Sequence, residues 1–325
     1  MVIRTDRLTK DFSVGFWRRR PHRALDGVSL DVPAGGVYGL LGPNGAGKST
    51  TLKILTGLLW PTSGRAEVFD RAPHEAAARR RLGFLPEHPT FYDHLTAEEL
   101  LAYFGGLAGL TGPSLAERAG RLLDTVGLGA DRRRPLRQYS KGMLQRVGLA
   151  QALIGDPDLV ILDEPMSGLD PIGRREVRSL ILRLRDEGRT VLFSSHILSD
   201  AELLCSRVGI LAGGRLVASG RVDELTAGPE SGGRGWEVTL AGVSADLAAR
   251  LVPQAERWTE ISPGRYNLDL AAAWSPERLV GWLEGTGAAL VSVTPLRTSL
   301  EDVFVARVRQ AAPPDSGAPA RAGTA

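Results

Sequence analysis

The sequence predicts an α/β fold with a mostly parallel sheet core over residues 1–226, followed by a small α+β domain. Three observations predict it. Apolar runs at 36–41, 159–162 and 190–195 are bounded by turn or cap residues, as strands buried on both faces require. Amphipathic stretches with helix-start signals separate them, so strands and helices alternate. After the Gly-rich linker "AGPESGGRG", 227–235, the pattern restarts on a smaller scale. A chain of 325 residues also exceeds the usual size of one core.

Taken in order, "GVYGLL" (36–41) reads as a buried strand and "TTLKILTGLL" (50–59) as a helix. Thr96 with Glu99 and Ser114 with Glu117 have capping-box spacing, while Asp170 and Pro171 suit N-cap and N1. Beyond the linker, Trp236, Val238 and Leu240 alternate as a strand and 244–252 is helical. Residues 256–261 and Tyr266, Leu268, Leu270 read as two further strands. Ser275 and Pro276 open a helix, 288–293 is a strand, and Thr298 with Glu301 caps the last helix. The order β-α-β-β-α-β over 236–306 is the split βαβ, or ferredoxin-like, arrangement. The tail 307–325, rich in Ala, Pro and Gly, has too little apolar surface to order itself.

Composition excludes several classes. Hydrophobic residues at 43% and charged residues at 24% are ordinary for a globular protein, and no stretch approaches a membrane span. The net charge is +3, and the only lysines are Lys10, Lys48, Lys53 and Lys141. No nucleic-acid partner is expected, because the arginine bias reads as codon usage rather than as a nucleic-acid surface, which would concentrate the charge on one face. Cys205 is the single cysteine, so no internal disulfide forms, and it reads as a small buried apolar residue at a helix end.

The chemistry lies in two motifs. "GPNGAGKS", 42–49, set between a strand and a helix, is a phosphate-binding loop. Gly42, Asn44, Gly45, Ala46, Gly47, Lys48, Ser49 and Thr50 are the expected nucleotide-binding residues. Glycines let backbone N–H groups turn inward, Lys48 brings charge to the β- and γ-phosphates, and the Ser49 hydroxyl suits Mg²⁺. "DLVILDEP", 158–165, carries Asp163 to the C-terminal sheet edge, where it can hold Mg²⁺. Glu164 is then placed to take a proton from attacking water.

"YSKGMLQR", 139–146, offers a second anion cradle at a helix N-terminus. Coming between those motifs, it resembles the signature loop of ATP-binding cassette (ABC) ATPases. Ser140 and Gly142 fit the family's L-S-G-G-Q; Tyr139, Lys141 and Met143 depart from it. The resemblance explains two cradles in one chain. In that family the signature loop of one protomer closes on the nucleotide held by the other, in a head-to-tail homodimer with two ATP molecules. It further implies that "SGLD", 167–170, is the D-loop, with Asp170 at the shared site, and that His196 is the switch histidine. Phe12 falls where the family stacks an aromatic on adenine, a task Phe16 or Trp17 could also take. The other four histidines read as surface or packing residues. Glu87 stands where the family has the Q-loop glutamine, and its carboxylate can still bind Mg²⁺. Glu87, the K-G-M signature and "SLEDVFV" together resemble the ATPases of ABC-2 type exporters, including daunorubicin-type drug exporters. The resemblance implies an ATPase at the cytoplasmic face of the membrane, held there by a separate multi-span permease. Two other classes stay open: a soluble ABC ATPase acting on ribosomes or DNA, and a catalytically silent nucleotide-dependent regulator. "SVGFWRRRPHR", 13–23, reads as an insertion that meets lipid headgroups or the permease, or as a solvated hairpin tip.

Overall fold

The computed structural model describes residues 1–14, 20–226, 235–271, 273–296 and 299–311. Phe16, Trp17, Thr298 and all of the expected linker but Gly235 lie outside them. The chain divides into two compact units, one of Met1–Val222 joined by the described residues from Phe304 to Ala311, the other of Asp223–Val303.

In the first unit, β1 (Ile3–Val14), β2 (Arg20–Val28) and β3 (Asp31–Val32) precede β4 (Val37–Leu41). There follow α1 (Lys48–Leu55), β5 (Ser63–Val68), α2 (Ala76–Arg79), β6 (Leu82–Leu85), α3 (Ala97–Leu107), α4 (Gly112–Thr125), α5 (Lys141–Leu153) and β7 (Leu159–Leu162). The unit continues with α6 (Pro171–Asp186), β8 (Thr190–Ser195), α7 (Leu198–Leu204), β9 (Arg207–Ala212) and β10 (Arg215–Arg221), and α8 (Val222–Thr226) follows. One sheet has the order β10-β9-β4-β8-β7-β6 and is parallel except for β10. β4, β7 and β8 are buried at every position, which is why β4 and β7 read as apolar runs and β8 as an apolar centre, Val191–Phe193, between Thr190 and two serines. A second, antiparallel sheet pairs β1 with β2, β3 and β5. Leu8, Leu25, Leu40, Leu52 and Leu192 share one core, so the helix after the phosphate-binding loop is packed on both its flanks.

The helix expected over 50–59 begins at Lys48 and stops at Leu55. Gly57 takes φ +71°, and the N–H groups of Gly57 and Leu58 donate to the Ile54 and Lys53 carbonyls at 3.0 and 2.9 Å, a Schellman termination. Thr96 and Glu99 form the full capping box. Ser114 does not cap α4. Gly112 and Pro113 start the helix earlier, from Thr111, and the Ser114 hydroxyl donates back to the Thr111 carbonyl while Glu117 pairs with Arg121. Proline at a first-turn position outweighs the capping pattern, because its φ is preset for a helix. Half of the 13–23 segment is likewise part of the hairpin: Ser13 lies opposite Pro21 and Phe12 opposite His22.

The second unit holds β11 (Gly235–Ala241), α9 (Ala245–Leu251), β12 (Ala255–Ser262), β13 (Arg265–Ala271), α10 (Pro276–Leu283) and β14 (Ala289–Pro295). The sheet order β12-β13-β11-β14, antiparallel throughout, is that of the split βαβ arrangement. Val238, Leu240, Leu268 and Leu270 from one sheet face join Leu247, Leu251, Leu279 and Leu283 from the helices in a core. The final helix, α11 (Leu300–Ala311), is capped one residue later than expected. Ser299 and Asp302 exchange backbone-to-side-chain hydrogen bonds, each of 3.1 Å. It also runs five residues into the expected unordered tail, since "RVRQA" consists largely of good helix formers and the first proline comes only at 313.

Candidate nucleotide site

The site stands where β4, β7 and β8 end side by side. Leu41 pairs with Ser195 and Leu162 with Phe193, so the residues that follow each strand meet above the sheet. From β4 the chain enters the 42–47 loop. Gly47 caps α1 at φ +103°, and a Cβ there would lie 2.6 Å from Leu25 and 2.7 Å from the Ala24 carbonyl oxygen. Gly45, at φ +78°, has nothing within 4 Å of where its Cβ would be, so that side of the loop stays clear for a ligand.

Lys48 is only 6% exposed. Its Nζ donates to the Gly42 carbonyl at 2.7 Å and the Pro43 carbonyl at 3.3 Å, and stands 3.2 Å from Glu164 Oε1. Glu164 follows β7 with φ +49°, a conformation L residues adopt only when their surroundings impose it. Its Oε2 lies 2.8 Å from His196 Nδ1. Among the described residues Oε1, although close to Lys48, finds no aligned hydrogen-bond partner, and it is fully shielded. A buried carboxylate oxygen in that state is held by charge alone and is open to a proton donor. Beside it, the Ser49 and Ser194 hydroxyls both donate to Asp163 Oδ1, at 3.2 and 2.6 Å.

A cavity of about 350 Å³ runs over the loop. Residues 43–50, Glu87 and Glu164 form its base and one side; Phe12, His22 and Ala24, from the β1–β2 hairpin, form the other. Lys10 stands over the Phe12 ring, its Nζ 5.3 Å from the centroid. His22 was expected to be a surface or packing residue, and the structure corrects this by setting it on the cavity wall. Only the hairpin register, which puts it opposite Phe12, reveals its place. Ser194 also escaped the sequence reading, since a serine inside a buried strand carries no motif.

Ser140, Gly142 and Asp170 are not on this wall. Ser140 and Asp170 cap α5 and α6, accepting the Met143 and Gly173 N–H groups at 3.3 and 2.7 Å. Among the described residues, no group of three or more His, Cys, Asp or Glu side chains could hold a metal alone. A metal here would share its ligands with phosphates, the usual habit of Mg²⁺. The hard oxygens of Ser49 and Asp163, already in contact, fit that role.

Residues 25–167 match the family model described as ABC transporter. An ABC transporter ATP-binding protein of Synechocystis sp. is 42% identical over 311 residues, 95% of this chain and 85% of the relative. The daunorubicin/doxorubicin resistance ATP-binding protein DrrA of Streptomyces peucetius is 43% identical over 205 residues, 62% of each chain. Among solved structures, the ATP-binding subunit of an ABC transporter superposes with a TM-score of 0.62 at 31% identity, covering 69% of this chain and 92% of that one. A dimeric ATP-binding cassette in a post-hydrolysis state, bound to ADP and phosphate, gives 0.62 at 25% identity, covering 67% of this chain and 98% of that one. With relatedness sustained along nearly its whole length and the cassette fold in its first unit, the chain belongs to the ABC transporter family, as an ATP-hydrolysing ATP-binding subunit.

Proposed function

We propose that the protein is the motor of an exporter: two copies close head-to-tail on two ATP molecules and so drive a separate membrane permease. The observation that carries this reading is Glu164, whose Oε1 is buried, unbonded and adjacent to the phosphate-binding loop. Lys48 exchanges the Gly42 and Pro43 carbonyls for phosphate oxygens as nucleotide enters. Glu164 then accepts the proton of the attacking water, with His196 holding its Oε2. Mg²⁺, held by Ser49 and Asp163 with Glu87 within reach, would neutralise charge building on the phosphates. Phe12 stacks on the base. Ser140, Gly142 and Asp170, away from this cavity, serve the nucleotide of the other copy, a reading supported by the dimeric cassette among the similar structures. ATP drives closure only by its stronger binding to the closed state.

Export is supported by the likeness to the daunorubicin/doxorubicin resistance protein. Among the described residues no helix is long and apolar enough to cross a membrane. In this reading the protein works at the cytoplasmic face, held by its permease. Our candidate contact is a groove of about 660 Å³ lined by Arg80, Phe84, Phe104 and Leu107, because β6, which borders it, ends two residues before Glu87.

Glu164→Gln should bind ATP, accumulate as a dimer, and lose steady-state phosphate release by roughly 10²-fold or more, the usual contribution of a general base. Sedimentation at saturating ATP and Mg²⁺ checks the dimer; a monomer there removes the shared-site reading. Pulling down the tagged variant with ATP from solubilised membranes should recover a polytopic membrane protein. Recovery of ribosomal or DNA-bound material instead would end the exporter reading.

A further inference from the structure

Ser194 is fully buried near the end of β8, and its hydroxyl is engaged in both directions. Its proton goes to Asp163 Oδ1 at 2.6 Å, and its oxygen accepts the Glu164 N–H at 2.8 Å. One side chain, two residues before His196, thus touches two consecutive acids that follow the neighbouring strand.

Each contact answers a local need. The Glu164 N–H is buried and belongs to a residue at φ +49°, so without an acceptor the backbone has reason to relax and carry the carboxylate away. Asp163 Oδ1 has two hydroxyl donors, but Ser49 belongs to the phosphate-binding loop and its oxygen is wanted by a metal. Among the described residues, Ser194 is the hydroxyl that binds the Asp163 carboxylate from the sheet, whatever the loop does, while the Asp163 N–H donates to the Leu85 carbonyl at 2.8 Å. Partners of this kind orient a metal-binding carboxylate and set how well it binds.

We propose that Ser194 is a positioning residue that uses one hydroxyl to set Asp163 for metal and Glu164 for proton transfer. The inference rests on the roles given to those two acids above. It makes metal affinity and turnover fall together when the hydroxyl is lost, while nucleotide binding without metal is spared.

The test compares Ser194→Ala with Ser194→Thr, which keeps the hydroxyl. Binding of fluorescent MANT-ATP in EDTA and thermal melting report folding. Mn²⁺ titration by electron paramagnetic resonance with AMP-PNP reports metal affinity, and phosphate release against Mg²⁺ reports turnover. For Ser194→Ala we expect MANT-ATP affinity within about twofold of the parent, and Mn²⁺ affinity and kcat each lower by about 10–100-fold, as for other partners of metal-binding carboxylates. Ser194→Thr should recover most of both. Unchanged Mn²⁺ affinity and kcat in Ser194→Ala would overturn the inference. So would loss of MANT-ATP binding together with the melting transition, which would make the serine a packing residue. Asp163→Asn, run alongside, separates the two levels. If it leaves Mn²⁺ binding intact, the role given to Asp163 is wrong, and the inference falls with it for a different reason.

Discussion

Asp156 shows how single residues outside the site hold the unit together. It sits at φ +57° after α5 and accepts from Arg189 at 2.7 Å and Arg118 at 2.9 Å, while Arg118 also donates to the Leu153 and Ile154 carbonyls. The Arg189 hydrogen bond, opposed by partial burial and reinforced by Arg118, holds the Asp156 carboxyl below its ordinary 3.8. A depressed value means that the stabilisation is complete above pH 3.8 and is lost as pH falls through the lower folded value. The carboxylate is more than half exposed, so solvent screening limits it to about 1 kcal/mol or less. Asp156→Asn should therefore melt lower at pH 7, by at most about 2–4 °C. The gap should close in strongly acidic buffer; a constant gap across pH would show that charge is not its cause. None of this was readable in the sequence, because Arg118, Asp156 and Arg189 lie far apart along it. Cys205 was readable: it is buried at the end of α7 against Gly39, and burial pushes its thiol well above the usual range. Iodoacetamide at pH 8 should label it only after denaturation; rapid labelling of the native protein would contradict that packing.

At the scale of elements, local signals competed, and the structure decided which won. Thr96–Glu99 and Ser114–Glu117 have the same spacing, but only the first caps a helix, since Pro113 had already begun the second. Thr96→Ala should cost about 1 kcal/mol in urea unfolding, and Ser114→Ala only a few tenths, because only Thr96 satisfies an otherwise unpaired helix N–H. Equal losses would mean that the two serve alike. The buried strands were the most legible elements, since burial on both faces leaves a mainly apolar run in the sequence, polar only at the ends of β8. The hairpin of β1 and β2 was the least, because register depends on pairing rather than composition. That is how His22 went unplaced while Phe12, opposite it, did not.

For the whole molecule, the notable feature is that nucleotide-site residues come from one unit only. The cavity draws on the phosphate-binding loop, the β1–β2 hairpin and the segment after β6, all within Met1–Val222. We propose that nucleotide binding resides there entirely and that the split βαβ unit serves regulation or dimer stability. A chain ending at residue 226 should bind MANT-ATP within a few-fold of the full protein. A truncated chain that folds but binds no nucleotide would refute this division.

By itself the sequence determined the fold class, the phosphate-binding loop, the two acids after β7 and the order of strands and helices along the second unit, because each is written in contiguous residues. Chain-adjacent chemistry needs no tertiary knowledge: a loop that must turn inward needs glycine, and a buried parallel strand needs to be apolar. Only the tertiary structure decided which atoms meet. It joined Lys48, Glu164 and His196, brought Ser194 under both acids from a neighbouring strand, and set His22 across from Phe12. Those contacts follow from strand order and register, which are properties of the packed sheets rather than of any one stretch of chain.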